Sequence, residues 1–337
     1  MGQDNTEFAE KYIRDLEEVA CNACGSHEQE TIAEKERFGL PLRTVICKNC
    51  GLIFLNPRPT KEMYAEFYQS DYRKTVSGSD EGDEAQFQKE FEFASYASLP
   101  VLRKFLPGWS PKTIMELGSS YGGVLSAHLK NYPGSVGFGV EPLLKIGEFA
   151  RQRTGATITT SLFEDYKPDS KYDLVILSRT LNHTLDPKEN LTKVSRMLTD
   201  DGVFALILQD PLSNTIHIPF ESVTEMTHPY MFTIENIQYL LGLSGLEVVG
   251  VQDEYIDARK MTRRDYRKLS FAYMVVLSRP RRQGQVIENK PDYRDILERI
   301  RANQAACIKH GDFIDRWRKP TLFMRAYRKA LHLAGLW

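Results

Sequence analysis

From Pro111 onward, short apolar runs alternate with amphipathic stretches, and that alternation leaves few architectures open to the chain. TIMEL, VGFGVE, ATITT, YDLVILS and GVFALIL read as five strands, with helix-forming segments such as GVLSAHLK and IGEFARQR between them. Strands separated by helices pair in parallel, with the crossover helices covering both faces of the sheet. Beyond them, TIENIQYLLGLSG predicts a helix with Thr233 as its N-cap and Gly245 as its stop. LEVVGVQ and FAYMVVLS predict two more strands, forming an antiparallel edge pair. The expected fold is therefore α/β: a doubly wound, mostly parallel seven-stranded sheet.

The junction of the first strand and first helix carries chemistry. Ile114 to Gly123 reads Ile-Met-Glu-Leu-Gly-Ser-Ser-Tyr-Gly-Gly, an E-x-G-x-x-x-G spacing that differs from the G-x-G-x-x-G of dinucleotide folds. Gly118 permits a sharp strand-to-helix bend and lets backbone approach a ligand without a Cβ in the way. Gly122 is expected to bring the helix start close to the same ligand, and Glu116 to meet the ammonium of a bound amino-acid moiety. The second strand, VGFGVE, ends in Glu141. An acid there can accept hydrogen bonds from both hydroxyls of a ribose, and ligands of doubly wound sheets sit beyond the carboxyl ends of the strands.

In front of this region stand Cys21-Asn-Ala-Cys24-Gly and Cys47-Lys-Asn-Cys50-Gly, two near-identical knuckles with 22 residues between them. Paired C-x-x-C knuckles read as metal ligands before disulfides. Four thiolates close a tetrahedral shell around zinc and leave no open position, so a structural zinc ribbon is expected. Cys307 is left over.

At this point the chain resembles the class I S-adenosylmethionine-dependent methyltransferases. The bend, Glu141, and the stretches LFEDY, YDLVILSRTLNHTLDP, VSRMLTDDGVFALIL and THPYMFTIENIQYLLGLSGLEVV carry the resemblance from about 111 to 280. It implies a Rossmann-like domain with S-adenosylmethionine as cofactor. By that likeness Gly118, Ser119, Tyr121 and Gly122 contact the methionine end and Glu141 holds the ribose. Phe163 and Glu164 lie near adenine, and Ser178 completes the wall. Where the family often has leucine-glutamate-histidine, this chain has Leu181-Asn182-His183, so a role for that acid has no support here.

The run CGLIFLNPRPTKEMYAEFYQSDYR is similar to the N-terminal zinc-binding region of bacterial sugar C-methyltransferases and surface-polysaccharide methyltransferases. In those relatives a tyrosine after the zinc module lies over the active site, which implies Tyr68 or Tyr72 here. A histidine before an aromatic-Phe-Thr run serves them as general base. THPYMFT matches, which implies His228, flanked by Glu225 and Tyr230, with His183 as the second histidine of the acceptor pocket. The expected reaction is methyl transfer to an oxygen or carbon of a sugar or saccharide intermediate, with or without phosphate. The rivals are another small metabolite, RNA, or a silent cofactor-binding scaffold.

The remaining segments are less decisive. The expected divisions are a lead-in and zinc ribbon (1–58), a helical linker over the active site (59–107), the catalytic domain (108–282) and a helical extension (283–337). Helices are predicted over Glu7–Val19 and Gln86–Leu106, the latter stopping at Pro107-Gly108. DARKMTRRDYRKLS, at 257–270, is either a solvated hairpin or an arm whose Arg263, Arg264 and Arg267 meet phosphates. The terminal KPTLFMRAYRKALHLAGLW puts Phe323, Tyr327, Leu331 and Ala334 on one helical face. That face packs on protein or touches a membrane surface peripherally. A net charge of −1 argues against a wholly basic nucleic-acid footprint. No apolar run approaches the roughly 20 residues of a membrane span, and the polar start is unlike a secretory signal. The expectation is a cytoplasmic protein that binds no nucleic acid.

Overall fold

The computed structural model describes residues 11–37, 39–70, 83–215, 219–253, 273–282 and 290–318. Its strands are β1 (Leu16–Glu17), β2 (Gln29–Ala33), β3 (Thr44–Cys47), β4 (Ile53–Leu55), β5 (Arg58–Pro59), β6 (Thr113–Leu117) and β7 (Val136–Val140). They continue with β8 (Thr157–Thr159), β9 (Tyr172–Ser178), β10 (Leu198–Gln209), β11 (Tyr230–Met231), β12 (Leu246–Asp253) and β13 (Tyr273–Pro280). The helices are α1 (Lys61–Ser70), α2 (Glu84–Tyr96), α3 (Ser98–Phe105), α4 (Gly123–Asn131), α5 (Leu144–Thr154), α6 (Pro187–Met197), α7 (Pro211–Asn214), α8 (Ile234–Leu243) and α9 (Tyr293–Arg318).

The main sheet runs β12-β13-β10-β9-β6-β7-β8. Its five central and far strands pair in parallel, and β13 inserts antiparallel between β10 and β12, as the sequence predicts. Strand β9 shows why the sheet must be covered twice. Val175 and Leu177 pack with Leu191, Val194, Ile237 and Leu240 on one face, while Leu174 and Ile176 pack with Leu102, Val124 and Leu125 on the other. Each such fully buried aliphatic side chain stabilises the fold by about 1.5–3 kcal/mol. The helix starts are specified locally. Asp83 caps α2 through Ala85 and Gln86, Asp186 caps α6 ahead of Pro187, and Thr233 and Asn236 form a capping box at α8.

The chain lays down β6, β7 and β8 towards one edge, then returns to place β9 on the other side of β6. That reversal opens a crevice at the carboxyl ends of β6 and β9, where doubly wound sheets bind ligands.

The structure departs from the sequence reading in several places. The helix expected over Gln86–Leu106 is two helices, α2 and α3, with Ala97 between them. In a continuous helix the ring of Pro100 would meet the carbonyl of Tyr96 four residues back. The helix expected over Glu7–Val19 does not reach Val19: Leu16–Glu17 is a strand, paired antiparallel with Arg58–Pro59. The cysteine segment is not walled off at residue 58 either. Its sheet runs β11-β4-β3-β2, so a strand from beyond β10 completes it. Tyr230 pairs with Phe54 and Met231 with Ile53. Tyr72, Arg263, Arg264, Arg267 and the terminal segment 319–337 lie outside the described residues. Among the described residues, no helix is long and apolar enough to cross a membrane.

Candidate active site

A cavity of about 1100 Å³ opens over the carboxyl ends of β6, β7 and β9. One half is built by the glycine bend. Gly118 has φ +74°, and its N–H and that of Ser119 both donate to the carbonyl of Val140. A Cβ on Gly118 would come within 2.6 Å of Thr180 Oγ1, so only glycine fits this turn. Glu116 is buried at the cavity floor, and its Oε2 has no hydrogen-bond partner among the described residues. The hydroxyl of Ser119 is in the same condition. Burial, with the carboxyl of Glu90 adding to it, holds Glu116 well above the usual carboxylate range. A buried carboxyl oxygen and a buried hydroxyl left without partners are each costly. A cationic ammonium entering from the cavity would satisfy both.

Glu141, just beyond β7, accepts from the N–H of Ser120 with one oxygen (3.1 Å) and from that of Leu143 with the other (3.0 Å). Glu141 also lines the cavity, and an acid at this strand end is of the type that accepts from ribose hydroxyls. Phe163 and Glu164 line the next wall. Lys193 fixes that loop by donating to the carbonyls of Phe163 and Glu164 at 3.1 and 2.6 Å. Burial pushes the Glu164 carboxyl up. Ser178 lines the opposite wall. The residues present therefore fit a nucleoside carrying an amino-acid head.

Two expected cofactor contacts sit elsewhere. Tyr121 is buried against Phe87, Ile146 and Phe149, away from the cavity lining. Gly122 caps α4 at φ +84°, but a Cβ there would meet Ala150 and Thr154 of α5. It permits helix–helix packing; it does not line the ligand cavity.

The other half of the cavity holds the expected acceptor residues together. His183 and His228 stand edge to face with ring centroids 4.5 Å apart. His228 Nδ1 lies 2.8 Å from Glu225 Oε1, and Glu225 Oε2 lies 2.7 Å from the Arg37 guanidinium. Burial alone would raise the Glu225 carboxyl, but His228 and Arg37 bring it down to about 2. It is thus ionised across the physiological range and accepts the Nδ1 proton of His228. His183 Nδ1 lies 2.9 Å from the carbonyl of Thr227 and 3.1 Å from the hydroxyl of Tyr68. A carbonyl only accepts, so Nδ1 carries the proton and Nε2 is bare. Burial, with His228 opposite, pushes the His183 imidazole down to about 3, so it stays neutral. Tyr230 also lines the cavity, but its hydroxyl is engaged: it donates to Leu185 O and accepts from Arg58. Neither of its hydrogen-bonding roles is left for proton transfer.

Sequence reasoning missed four contributors. Glu90 of α2 reaches the cavity, accepts from the N–H of Gly123, and is pushed up by burial. Arg179, at the tip of β9, takes φ +55° and lays its guanidinium over Phe93. A non-glycine residue in that region marks local strain, which collects at functional sites. Arg37 and Arg58 come from the cysteine segment and also line the cavity. Arg179, in the stretch SRTLNH, and Arg58, in the run CGLIFLNPRPT, fall in motif stretches; Glu90 and Arg37 do not.

The four cysteines converge as their spacing predicts. Their sulfurs lie within 4.8 Å of one another, with Cys21–Cys50 and Cys24–Cys47 each at 3.5 Å. The two knuckles repeat the same turn. Gly25 N–H donates to Cys21 O, Gly51 N–H donates to Cys47 O, and both glycines have positive φ. Zinc–sulfur bonds of about 2.3 Å put tetrahedral sulfurs a little under 4 Å apart, so the donor set fits. Cys307 lies buried in α9, apart from this group.

Residues 89–251 match the family model described as "Methyltransferase domain". No curated protein matches the chain. Solved structures similar to it include the plantazolicin methyltransferase BpumL in complex with a monoazolic desmethylPZN analog and SAH. The identity is 12%, with 65% of this chain and 94% of that one covered, at a TM-score of 0.47. The mitomycin 7-O-methyltransferase MmcR is similar at 16% identity over 64% of this chain and 60% of that one, TM-score 0.46. An S-adenosylmethionine-dependent methyltransferase from Mesorhizobium loti is similar at 19% identity over 55% and 99%, TM-score 0.44. Residues 89–251 of this chain are a class I methyltransferase domain, and the enzyme is an S-adenosylmethionine-dependent methyltransferase.

Proposed function

We propose that this enzyme methylates an oxygen or carbon of a sugar or saccharide intermediate, with His228 as general base. The observation that carries the reading is a single cavity with two chemically distinct halves. One holds Glu116 and Glu141; the other holds His228 bonded to Glu225 beside a neutral His183. When bound, S-adenosylmethionine supplies an electrophilic methyl group. A hydroxyl or carbon acid attacking it must lose a proton, and an imidazole whose Nδ1–H is held by a carboxylate offers Nε2 for that purpose. A polar half lined by His183, His228 and Thr227 suits an acceptor rich in hydroxyls, as a saccharide is. Tyr68 closes this half through its contact with His183.

Incubating the enzyme with labelled cofactor and a panel of nucleotide-sugars and glycan intermediates tests the acceptor class; the readout is mass gain by one methylene unit. With an accepted substrate, His228→Gln is expected to lower kcat by about 10²–10⁴-fold, the usual contribution of a general base. Its affinity for S-adenosylhomocysteine should stay unchanged. Full turnover in that variant removes His228 from the reaction.

The four cysteines hold a structural zinc ion in this reading, and the module sits over the acceptor half of the cavity. Wild-type protein should carry about one zinc per chain. Cys47→Ser should carry almost none and should lose the protease resistance of residues 21–55, because metal binding and folding of such sites are one equilibrium. Wild-type protein free of zinc yet fully protease-resistant would overturn this assignment.

A further inference from the structure

The connection between β2 and β3, enclosed by the two knuckles, does more than link them. It turns at Glu36–Leu40, where Glu36 N–H donates to Leu40 O and Leu40 N–H donates to the Glu36 carboxylate. The turn presents Arg37 to the segment that carries the base. Arg37 grips it twice: its backbone N–H donates to Thr224 O at 3.0 Å, and its guanidinium lies 2.7 Å from Glu225 Oε2. Glu225 gives its other oxygen to His228 Nδ1 at 2.8 Å.

The two Glu225 contacts are complementary. A carboxylate turns about its last side-chain bond, and one hydrogen bond leaves it free to swing. Guanidinium on one oxygen and imidazole on the other, with a further hydrogen bond from the Thr227 side chain, oppose that rotation and keep Oε1 on His228. The partners lie far apart along the chain and are brought together because β11 extends the sheet of β4, β3 and β2. The guanidinium is partly exposed while the Glu225 side chain is nearly buried, at 44% and 10%. The cation therefore compensates a carboxylate that burial would otherwise push towards neutrality.

We infer that Arg37 is a positioning residue for the base: the cysteine module reaches into the acceptor cavity and locks Glu225 so that His228 is held with its proton on Nδ1. Arg37 acts through Glu225, while the module that carries it is organised by the cysteines. The inference rests on the reading of His228 as base. Its test reads tautomer and proton exchange, so a failure here is distinguishable from a failure of that reading, which turnover of His228→Gln decides.

The experiment uses the full chain, zinc-loaded and saturated with S-adenosylhomocysteine, with ¹⁵N-labelled histidine. His228→Gln identifies the His228 signals. In the wild type His228 is expected as the Nδ1–H tautomer with a slowly exchanging proton. In Arg37→Met that proton should exchange faster by about tenfold or more, the scale of losing one charge-assisted hydrogen bond. Arg37→Lys, which restores the charge, should recover most of the protection. Affinity for S-adenosylhomocysteine should match the wild type in both variants, separating a local effect from general unfolding. Unchanged tautomer and exchange in Arg37→Met overturn the proposal. A wild-type His228 protonated on Nε2 overturns it without any variant, which covers the case in which Arg37→Met fails to fold.

Discussion

Replacing Gly123 by alanine is expected to destabilise the enzyme by about 2–3 kcal/mol, the range for overpacking a tight contact. The reason is geometric. A Cβ at position 123 would lie 2.2 Å from the carbonyl oxygen of Phe87, 2.6 Å from Glu90 Cβ and 2.7 Å from the backbone nitrogen of Phe91. Two of these atoms are backbone, so no rotamer change relieves the contact and α2 must move away from α4. That movement also opens the hydrogen bond from Gly123 N–H to Glu90 and shifts a cavity wall. Thermal unfolding with S-adenosylhomocysteine titrated in reads both effects: a midpoint lowered by several degrees, and weaker stabilisation by the ligand. A variant that melts with the wild type would show that the two helices do not approach as described. Gly147 offers a control, since it lies within α5 and a Cβ there meets only ordinary contacts at 3.5 Å or beyond.

The second large effect is on cofactor binding. Glu141→Ala is expected to weaken binding of S-adenosylhomocysteine by about 100-fold, equivalent to two charge-assisted hydrogen bonds of roughly 1.5 kcal/mol each. The carboxylate has two tasks in one place. It braces the glycine bend through Ser120 N–H and the entry of α5 through Leu143 N–H, and it lines the cavity at the strand end where doubly wound sheets hold a ribose. Glu141→Gln keeps one acceptor oxygen and should fall between wild type and alanine. Calorimetry on the zinc-loaded chain gives the three affinities directly. Near-equal values would mean that this crevice does not seat the nucleoside.

These effects differ in how far the sequence announces them. Glu141 was legible because a strand-terminal acid needs only its own strand to be placed. The positions of Glu116, Gly118 and the four cysteines were legible for the same reason, each lying in a short segment with its own local geometry. His183 and His228 were placed through the likeness of YDLVILSRTLNHTLDP and THPYMFT. Gly122 shows where that logic fails. A glycine in the right register looked like a ligand contact, but its missing Cβ makes room for Ala150 and Thr154 of α5. Tyr121 failed alike, drawn into an aromatic cluster with Phe149. Glu90 and Arg37 carried no signal at all, since nothing in EAQFQKEFEFASY or in the loop between knuckles distinguishes them from solvated charges.

What the sequence determined by itself was the alternation that forces a parallel sheet, the bend at its first strand, and the two knuckles. Each of these is fixed by periodicity or by backbone constraint within a few residues. Only the tertiary structure decided that Tyr230 and Met231 complete the sheet of the cysteine segment, that Glu90 lines the cavity, and that Arg37 meets the carboxylate behind His228. Those pairings join residues far apart along the chain, and burial of both faces of one sheet and the closing of another set them.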